Sequence, residues 1–488
     1  MPWLLPLLLA APLASIACLF LRGPRASAAA LVGGTGTAFV LALLLAWRVS
    51  NGGAVIAAHG WLQADALSAL IACLVTGLTL ASALYGIPYM AVVRAAERAE
   101  ERWVPGRYEA LFLGLLACLL TAALANNLGL VWIAIEGTTL TSAMLVGYFR
   151  RPESIEAAWK YLILCSVGIS LALLATVLLY YSAVSVFGEG GQGLQWTALR
   201  EAAPRLDPRF VKLAFLFALV GYGTKAGLAP MHTWLPDAHS QAPAPVSALM
   251  STGLLATSLS VLLRFHAITA ACVGPGWSGG LLALFGGLSM VIAIPFMLVQ
   301  GEYKRLLAYS SIEHTGFATL AIGLGTPLAV FGGLLHLVVQ SLAKALAFLV
   351  GGSIGHASGS SRMDHWSGLL EASPVLGVLL VGAGLGIAGL PPTGTFVSEW
   401  LALAGGFASS HPVAAATALV ALVAVFMGLV FHWTRMALGR PREGFDDRMP
   451  ALSRLPMWLL LVALVFCGFY LPSPVRTLIE QAAAVVRP

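Results

Sequence analysis

Several ionisable side chains of this chain stand inside stretches that are otherwise almost entirely apolar. They are Glu136, Lys225, Glu313, His314, His336, Lys344 and Glu399, and the amide Gln340 has a similar setting. A charged side chain at the centre of a bilayer costs about 3 kcal/mol even on insertion-based scales, and such residues by default face a polar interior and function there. Carboxyl, amine and imidazole groups take up and release protons, so the chemistry they offer is proton transfer.

Glu136 and Lys225 form the first predicted pair. Glu136 is surrounded by hydroxyl side chains, among them Thr139 and Ser142, that could line a wet cavity. Burial favours the neutral form of a lysine, and a nearby carboxylate restores the charged form. A proton that arrives at either group would therefore change the proton affinity of the other.

A second set of polar residues follows one helix face. His336, Gln340 and Lys344 are spaced four residues apart, which stacks them over about two turns. Such a stripe suits a chain of ordered water. Adjacent helical residues diverge, so Glu313 and His314 are expected to point in different directions.

Two further acidic residues lie near the ends or breaks of apolar stretches. Glu399 follows a predicted helix break and is interpreted as functional. Asp65 begins an apolar stretch, and its expected role is structural, as a helix cap or a residue that reaches the interface.

The elements that must position these residues are membrane helices. The chain has 488 residues, of which 59% are hydrophobic and 10% charged, with a mean hydropathy of +0.88. Soluble domains are about one-quarter charged, so a soluble enzyme is excluded. The sequence predicts an all-α polytopic membrane protein with about fourteen transmembrane spans. Spans 1 to 14 are predicted at 2–21, 28–47, 64–91, 108–125, 128–149, 159–187, 210–229, 244–265, 279–299, 306–324, 328–353, 374–393, 412–434 and 456–471.

The patterns of charged residues and cysteines exclude further functions for this membrane protein. The net charge is +6, but the basic residues are scattered between apolar spans and form no continuous patch, which argues against nucleic-acid binding. The six cysteines form no C-x-x-C pair, so no metal, cofactor or redox centre is expected in this chain. No basic residue precedes the first apolar run, so a retained helix is predicted there instead of a cleaved signal peptide. The distribution of Lys and Arg among the loops places both termini on the non-cytoplasmic side.

An internal repeat is predicted from two similar segments. Residues 227–234 and 389–396 share the pattern G-L-x-P-x-x-T-aromatic. Pro230, Pro391 and Pro392 are expected to break their helices in mid-span. The segments lie five spans apart, so the copies would cross the membrane in opposite directions, as in inverted repeats that carry ion pathways. The predicted organisation is 1–107 (spans 1–3), 108–266 (first repeat, spans 4–8), 277–440 (second repeat, spans 9–13) and 450–488 (span 14).

Three segments resemble a known family. They are 222–239 with its continuation at 242–249, then 304–311, and then 389–399. Through them the chain resembles the proton-conducting membrane transporter family, which includes NADH-quinone oxidoreductase subunits L, M and N, Mrp antiporter subunits and membrane subunits of hydrogenase-4 and formate hydrogenlyase. Segments 311–316 and 341–344 are most similar to the F-type branch of the hydrogenase-4 and formate hydrogenlyase membrane subunits.

The resemblance implies a fourteen-helix core with two inverted half-channels joined by a hydrated axis of charged residues. Glu136, Lys225, Lys344 and Glu399 match the family's ionisable positions in spans 5, 7, 11 and 12, and His336 matches the first of two span-11 histidines. Two departures are visible. Ala256 stands near the usual span-8 lysine, and Gln340 replaces the second histidine.

The leading hypothesis is a proton-translocating subunit of a redox-driven complex, hydrogenase-4-like or NADH-quinone oxidoreductase-like, in the bacterial cytoplasmic (inner) membrane. Its implied partners are other membrane subunits and peripheral redox subunits, which would carry iron–sulfur clusters and nickel–iron or flavin groups. One alternative is a Mrp-type cation/proton antiporter subunit without a redox partner. Another is a purely structural subunit, since the two departures interrupt the usual relay.

Overall fold

The computed structural model describes residues 1–19, 24–96, 106–441, 444–447 and 449–487, and this part of the chain is almost entirely helical. Residues 20–21, at the end of predicted span 1, lie outside the described residues. The helices are α1 (Leu4–Cys18), α2 (Pro24–Gly52), α3 (Ala66–Ala96), α4 (Arg107–Leu124), α5 (Leu128–Val146), α6 (Pro152–Phe187), α7 (Trp196–Ala202), α8 (Pro208–Ala226), α9 (Trp234–Gln241), α10 (Ala244–Leu249), α11 (Leu255–Val273), α12 (Pro275–Val299), α13 (Tyr303–Gly323), α14 (Pro327–Ser358), α15 (Leu369–Ala372), α16 (Pro374–Ile387), α17 (Gly394–Phe407), α18 (Pro412–Ala437), α19 (Leu455–Phe469) and α20 (Ser473–Val486).

Ten of the described helical segments are long and apolar enough to cross a membrane. The apolar helices α1 and α16 are shorter. Two more helices that match predicted spans, α8 and α13, carry several charged residues each. The chain is therefore a multi-pass membrane protein, while the exact number of crossings stays a prediction.

Polar side chains fix where several of these helices begin. Asn127 accepts hydrogen bonds from the backbone N–H groups of Gly129 and Leu130, at 2.9 and 3.1 Å, and caps α5. Thr326 caps α14 through the N–H of Ala329. Each cap satisfies donors that have no partner within the helix. These caps anchor the starts of the two helices that carry Glu136, His336 and Lys344.

Small residues let the long helices approach closely. A Cβ atom on Gly221 of α8 would lie 2.6 Å from the backbone nitrogen of Ala172 in α6. A Cβ atom on Gly286 of α12 would lie 2.5 Å from the carbonyl oxygen of Gly316 in α13. Membrane helices associate largely through such close packing, since lipid supplies little hydrophobic drive between them.

Two helices are interrupted, and their breaks have the same local backbone. α8 ends at Ala226 and the chain becomes helical again at Trp234, while α16 ends at Ile387 and α17 begins at Gly394. Gly227 and Gly389 end the first halves with φ of 77° and 63°, a region that favours glycine. The Ala229–Pro230 and Pro391–Pro392 bonds are cis. Predicted span 12 ended at residue 393, whereas the helix after the break runs on to Phe407.

The breaks also share a hydrogen-bond pattern. The N–H of Leu228 donates to the carbonyl of Gly223 at 2.9 Å, and the N–H of Leu390 donates to that of Leu385 at 3.0 Å. Both bonds reach back five residues and close the last turn in the manner of a Schellman cap. The two segments that share a sequence pattern thus also share a local backbone structure.

A buried ion pair ties α3 to α11. The guanidinium of Arg264 donates to both carboxylate oxygens of Asp65, at 2.9 and 3.2 Å, and to the hydroxyl of Ser68. The backbone N–H of Ser68 donates to Asp65, so the predicted capping role of Asp65 is confirmed. The Trp196 ring of α7 covers the Arg264 guanidinium at 4.5 Å. The network holds the start of α3 against the helices of the first predicted repeat.

Several short elements were not predicted, and two of them are a hairpin and α20. A short antiparallel hairpin pairs β1 (Val55–Ala57) with β2 (Leu62–Ala64) in the register Ile56 opposite Gln63. The amphipathic α20 packs on α3 and α14 near the C-terminus. Both are short and partly polar, so neither gives the long apolar run that marks a membrane span.

Candidate functional site

Helices α5, α6 and α8 bring together a group of polar side chains that we call the Lys225 cluster. Its members are Glu136, Thr139, Ser142, Tyr161, Ser166 and Lys225. The Lys225 side chain is completely buried, and so are Thr139, Ser142 and Tyr161. A buried lysine needs hydrogen-bond partners, because an isolated ammonium in an apolar medium is strongly unfavourable.

Those partners are two hydroxyl groups. The Lys225 ammonium donates to Thr139 Oγ1 at 2.9 Å and to the Tyr161 hydroxyl, and Tyr161 shares a 2.7 Å hydrogen bond with Ser142. The Tyr161 ring also faces the ammonium, with the nitrogen 4.6 Å from its centroid. Protein groups thus supply two hydrogen-bond acceptors and one aromatic face to the buried ammonium.

Glu136 reaches Lys225 through Thr139. The Thr139 hydroxyl donates to Glu136 Oε2 at 3.2 Å, and Ser166 donates to Oε1 at 3.0 Å. The predicted partnership between Glu136 and Lys225 is therefore bridged by one hydroxyl in the described residues. The order ammonium, hydroxyl, carboxylate forms a short donor chain along which a proton can be passed.

A second group, the histidine cluster, lies between α13, α14 and α17. Its members are Glu313, His314, His336, Lys344, Ser398 and Glu399. Nδ1 of His314 lies 3.0 Å from Nε2 of His336, and Nδ1 of His336 lies 3.0 Å from the Ser398 hydroxyl. All six side chains are buried.

The hydrogen bonds of Ser398 assign the proton on His336. The Ser398 hydroxyl donates to the carbonyl of Thr395 at 2.7 Å, so it accepts from Nδ1–H of His336. Nε2 of His336 is then the acceptor, and Nδ1–H of His314 is the donor. This assignment follows from the hydrogen-bond network. Two imidazoles in this order form a relay with a defined direction.

Glu313 belongs to the same cluster, and here the sequence-based expectation was wrong. Glu313 Oε2 lies 3.6 Å from Nδ1 of His314, although adjacent residues were expected to point in different directions. The glutamate side chain is long and flexible enough to turn back toward its neighbour. Both carboxylate oxygens of Glu313 lack a hydrogen-bond partner. A buried carboxyl in this state is a natural site for a mobile proton.

Lys344 lies close to these groups but is not hydrogen-bonded to His336. Its ammonium donates to the carbonyl of Leu307 at 3.2 Å and interacts electrostatically with Glu313. Gln340 donates to Ser341, and its carbonyl oxygen lacks a partner. The predicted stripe of His336, Gln340 and Lys344 is therefore a row of buried polar groups without direct bonds between them.

Glu399 is placed by the break between α16 and α17. A Cβ atom on Gly389 would clash with the carboxylate of Glu399. Glycine at this position therefore leaves room for the carboxylate in addition to permitting the positive φ. The carboxylate lies in the region of His314 and His336, where ligand atoms of the three residues all fall within 4.8 Å of one another.

Several participants carried no distinguishing signal in the sequence. Tyr161, Ser166 and Ser398 are ordinary residues of membrane helices until the fold places them beside Lys225, Glu136 and His336. His239 is buried with both ring nitrogens unpartnered, and its position in segment 222–239 does not by itself mark it as a site residue. Pairing across helices depends on tertiary packing, which spacing along one helix does not reveal.

Comparisons with known proteins agree with this architecture. Residues 125–426 match the model of the NADH:quinone oxidoreductase/Mrp antiporter transmembrane family. The Hydrogenase-4 component F homolog of Methylacidiphilum infernorum is 40% identical over 78% of this chain and 79% of its own length. NADH-quinone oxidoreductase subunit N of Desulforudis audaxviator is 29% identical over 86% of this chain and 83% of its own.

Solved structures show the same fold. A chain of the Mrp complex from Dietzia sp. DQ12-45-1b superposes with a TM-score of 0.85 at 20% identity, covering 99% of this chain and 97% of that one. A chain of respiratory complex I from Thermus thermophilus gives a TM-score of 0.76 at 27% identity, over 95% and 96% of the two chains. The matched region spans most of the chain and contains both clusters, and the chain belongs to the NADH:quinone oxidoreductase/Mrp antiporter transmembrane family.

Proposed function

We propose that this chain moves protons across the membrane as the antiporter-like subunit of a redox-driven complex of the hydrogenase-4 type. The observation that carries the proposal is the pair of protonatable clusters around the buried side chains of Lys225 and His336 within apolar membrane helices. Moving one proton against 100 mV requires about 2.3 kcal/mol, so partner subunits must supply the energy.

In the Lys225 cluster, the protonation of one ionisable group is expected to change the proton affinity of the other. Lys225 and Glu136 are joined by the Thr139 hydroxyl, so a change in one group's protonation alters the field at the other. In the histidine cluster, Glu313 and Lys344 are the corresponding acid and base, and the two imidazoles supply the relay. Each cluster thus holds an acid and a base. Hydrogen bonds through Thr139 join the two in the Lys225 cluster, whereas in the histidine cluster the hydrogen bonds join the two imidazoles and Ser398.

We further propose fourteen crossings that include two inverted five-helix repeats, and the matching breaks at Gly227 and Gly389 support the repeat. In that arrangement each repeat holds one cluster, and the two serve as half-channels. Ala256 and Gln340 replace two groups of the usual relay, so water would carry the proton between the clusters.

The partners proposed are further membrane subunits and peripheral redox subunits with iron–sulfur clusters and a nickel–iron or flavin group. Support comes from the 40% identity to the relative named Hydrogenase-4 component F homolog. The membrane proposed is the bacterial cytoplasmic membrane. Gentle purification of the tagged chain should recover iron together with the partner subunits. Recovery of multi-span chains without iron would favour an Mrp-type cation/proton antiporter instead.

The test of proton movement uses Lys225→Ala in membrane vesicles that contain the assembled complex. We expect the variant to lose donor-driven proton movement while electron transfer continues or slows. Lys212→Ala is the matched control, because Lys212 lies exposed on the same helix. Unchanged proton movement in Lys225→Ala would refute the proposal. Sodium–proton exchange without an electron donor would support the antiporter, and loss of assembly alone would support a structural role.

A further inference from the structure

Three buried side chains of the histidine cluster converge in a way that suits a metal ion. One ring nitrogen each of His314 and His336 and a carboxylate oxygen of Glu399 all lie within 4.8 Å of one another. They come from three separate helices, α13, α14 and α17. The spacing of these residues along the chain has no metal-binding pattern, so no metal site was expected from the sequence.

We propose that His314, His336 and Glu399 form a binding site for a divalent transition-metal ion, with zinc as the preferred ion, and that the bound ion blocks proton movement. The metal replaces the hydrogen that now joins the two imidazoles. The binding part stands on geometry alone, whereas the blocking part rests on the proposed function.

The separation of the two imidazole nitrogens is close to that in a zinc site. Zinc binds imidazole nitrogen at about 2.0–2.1 Å in a tetrahedral arrangement, which separates two nitrogens by about 3.3 Å. Nδ1 of His314 and Nε2 of His336 are 3.0 Å apart, so a shift of a few tenths of an ångström is enough. Glu399 supplies an oxygen, and Glu313 Oε2, 3.6 Å from the same His314 nitrogen, is a candidate fourth ligand.

The hydrogen bond of His336 to Ser398 prepares it as a ligand. Because Ser398 accepts from Nδ1–H of His336, Nε2 presents its lone pair toward His314. Zinc-binding histidines commonly donate the other ring N–H to such a partner, which fixes the tautomer and the ring orientation. Nε2 of His314 lacks a hydrogen-bond partner. The proton on Nδ1 of His314 can therefore move to Nε2, which frees Nδ1 for the metal without any net release of a proton.

Charge and ligand chemistry select the class of ion. Two carboxylates, Glu313 and Glu399, offset a divalent charge, and the ammonium of Lys344 opposes it in part. Imidazole nitrogen favours zinc, copper and nickel over magnesium or calcium, which prefer oxygen ligands. Sodium likewise gains little from two imidazoles.

The binding test uses the complex purified in detergent, incubated with zinc and then desalted. We expect one retained zinc per chain that is lost in His336→Gln and in His314→Gln. Co²⁺ in place of zinc should give the visible bands of a tetrahedral site. His266→Gln is the matched control, because His266 is a buried histidine on α11 outside the cluster.

A second variant guards against misfolding of the histidine variants. Glu399→Gln keeps the size of the side chain and removes its charge, and should weaken zinc binding at least tenfold. Equal retention of zinc by the wild type, His336→Gln and Glu399→Gln would show that the metal binds elsewhere and would overturn the inference.

The blocking test adds micromolar zinc to vesicles that move protons. We expect inhibition of proton movement in the wild type and in His266→Gln. Failure of the two ideas can be told apart. Absence of bound zinc, together with loss of proton movement in Lys225→Ala, would remove the metal site and leave the proposed function intact. Specific zinc binding in a complex that moves no protons would keep the metal site and remove the proposed function.

Discussion

Replacement of Thr139 by valine tests the hydroxyl bridge between Lys225 and Glu136. Valine has nearly the same shape as threonine but carries a methyl group in place of Oγ1, so packing is retained. The change removes the 2.9 Å bond from Lys225 and the 3.2 Å bond to Glu136. It leaves a buried ammonium with one partner fewer, while Tyr161 remains in place.

The size of the effect follows from the loss of the hydrogen bond to the charged ammonium. A hydrogen bond to a charged group contributes about 1.5–3 kcal/mol. If one such bond is lost along the proton route, the barrier rises by that amount, and each 1.36 kcal/mol changes the rate roughly tenfold. We therefore expect Thr139→Val to slow proton movement by about ten- to 150-fold.

The assay is the initial rate of donor-driven acidification in vesicles, divided by the rate of electron transfer in the same sample. Thr139→Ser keeps the hydroxyl and should restore most of the rate. Thr141→Val is the matched control, because the Thr141 hydroxyl bonds the carbonyl of Gly137 within its own helix. Equal rates for Thr139→Val and the wild type, with equal amounts of assembled complex, would refute the bridge.

Two predictions concern the framework. Asp65→Ala leaves the buried guanidinium of Arg264 without its carboxylate, so we expect the free energy of unfolding to fall by about 3–5 kcal/mol. The measurement is the thermal midpoint in detergent, which should fall, and an unchanged midpoint would contradict the prediction. Gly221→Ala should reduce the yield of folded protein, because its Cβ would meet the backbone of Ala172 at 2.6 Å, whereas Gly276→Ala meets nothing within 4 Å and serves as the control.

The sequence was informative where burial of a polar group is costly. Glu136, Lys225, His336 and Lys344 stand out because ionisable groups in apolar helices require a reason. The two breaks could also be predicted, since proline and glycine interrupt a helix for reasons local to the chain. These signals need no knowledge of neighbouring helices.

Contacts between helices could not be predicted in the same way. The 3.0 Å pair of His314 and His336 joins residues of α13 and α14, and nothing in either helix alone indicates the other. Thr139 on α5 and Tyr161 on α6 carry common hydroxyl groups, and their contact with Lys225 appears only once the fold packs these helices against α8. The turn of Glu313 toward His314 depends on side-chain rotamers, which a helical wheel does not describe.

The most direct test of proton movement through both clusters is the number of protons moved per electron in vesicles that contain Lys344→Ala. Lys344 belongs to the histidine cluster, so the measurement asks whether that cluster and the Lys225 cluster form one route. We expect the wild type to acidify the vesicles when an electron donor is supplied, and Lys344→Ala to move no protons while electrons still flow. The same number of protons per electron in both would contradict the account.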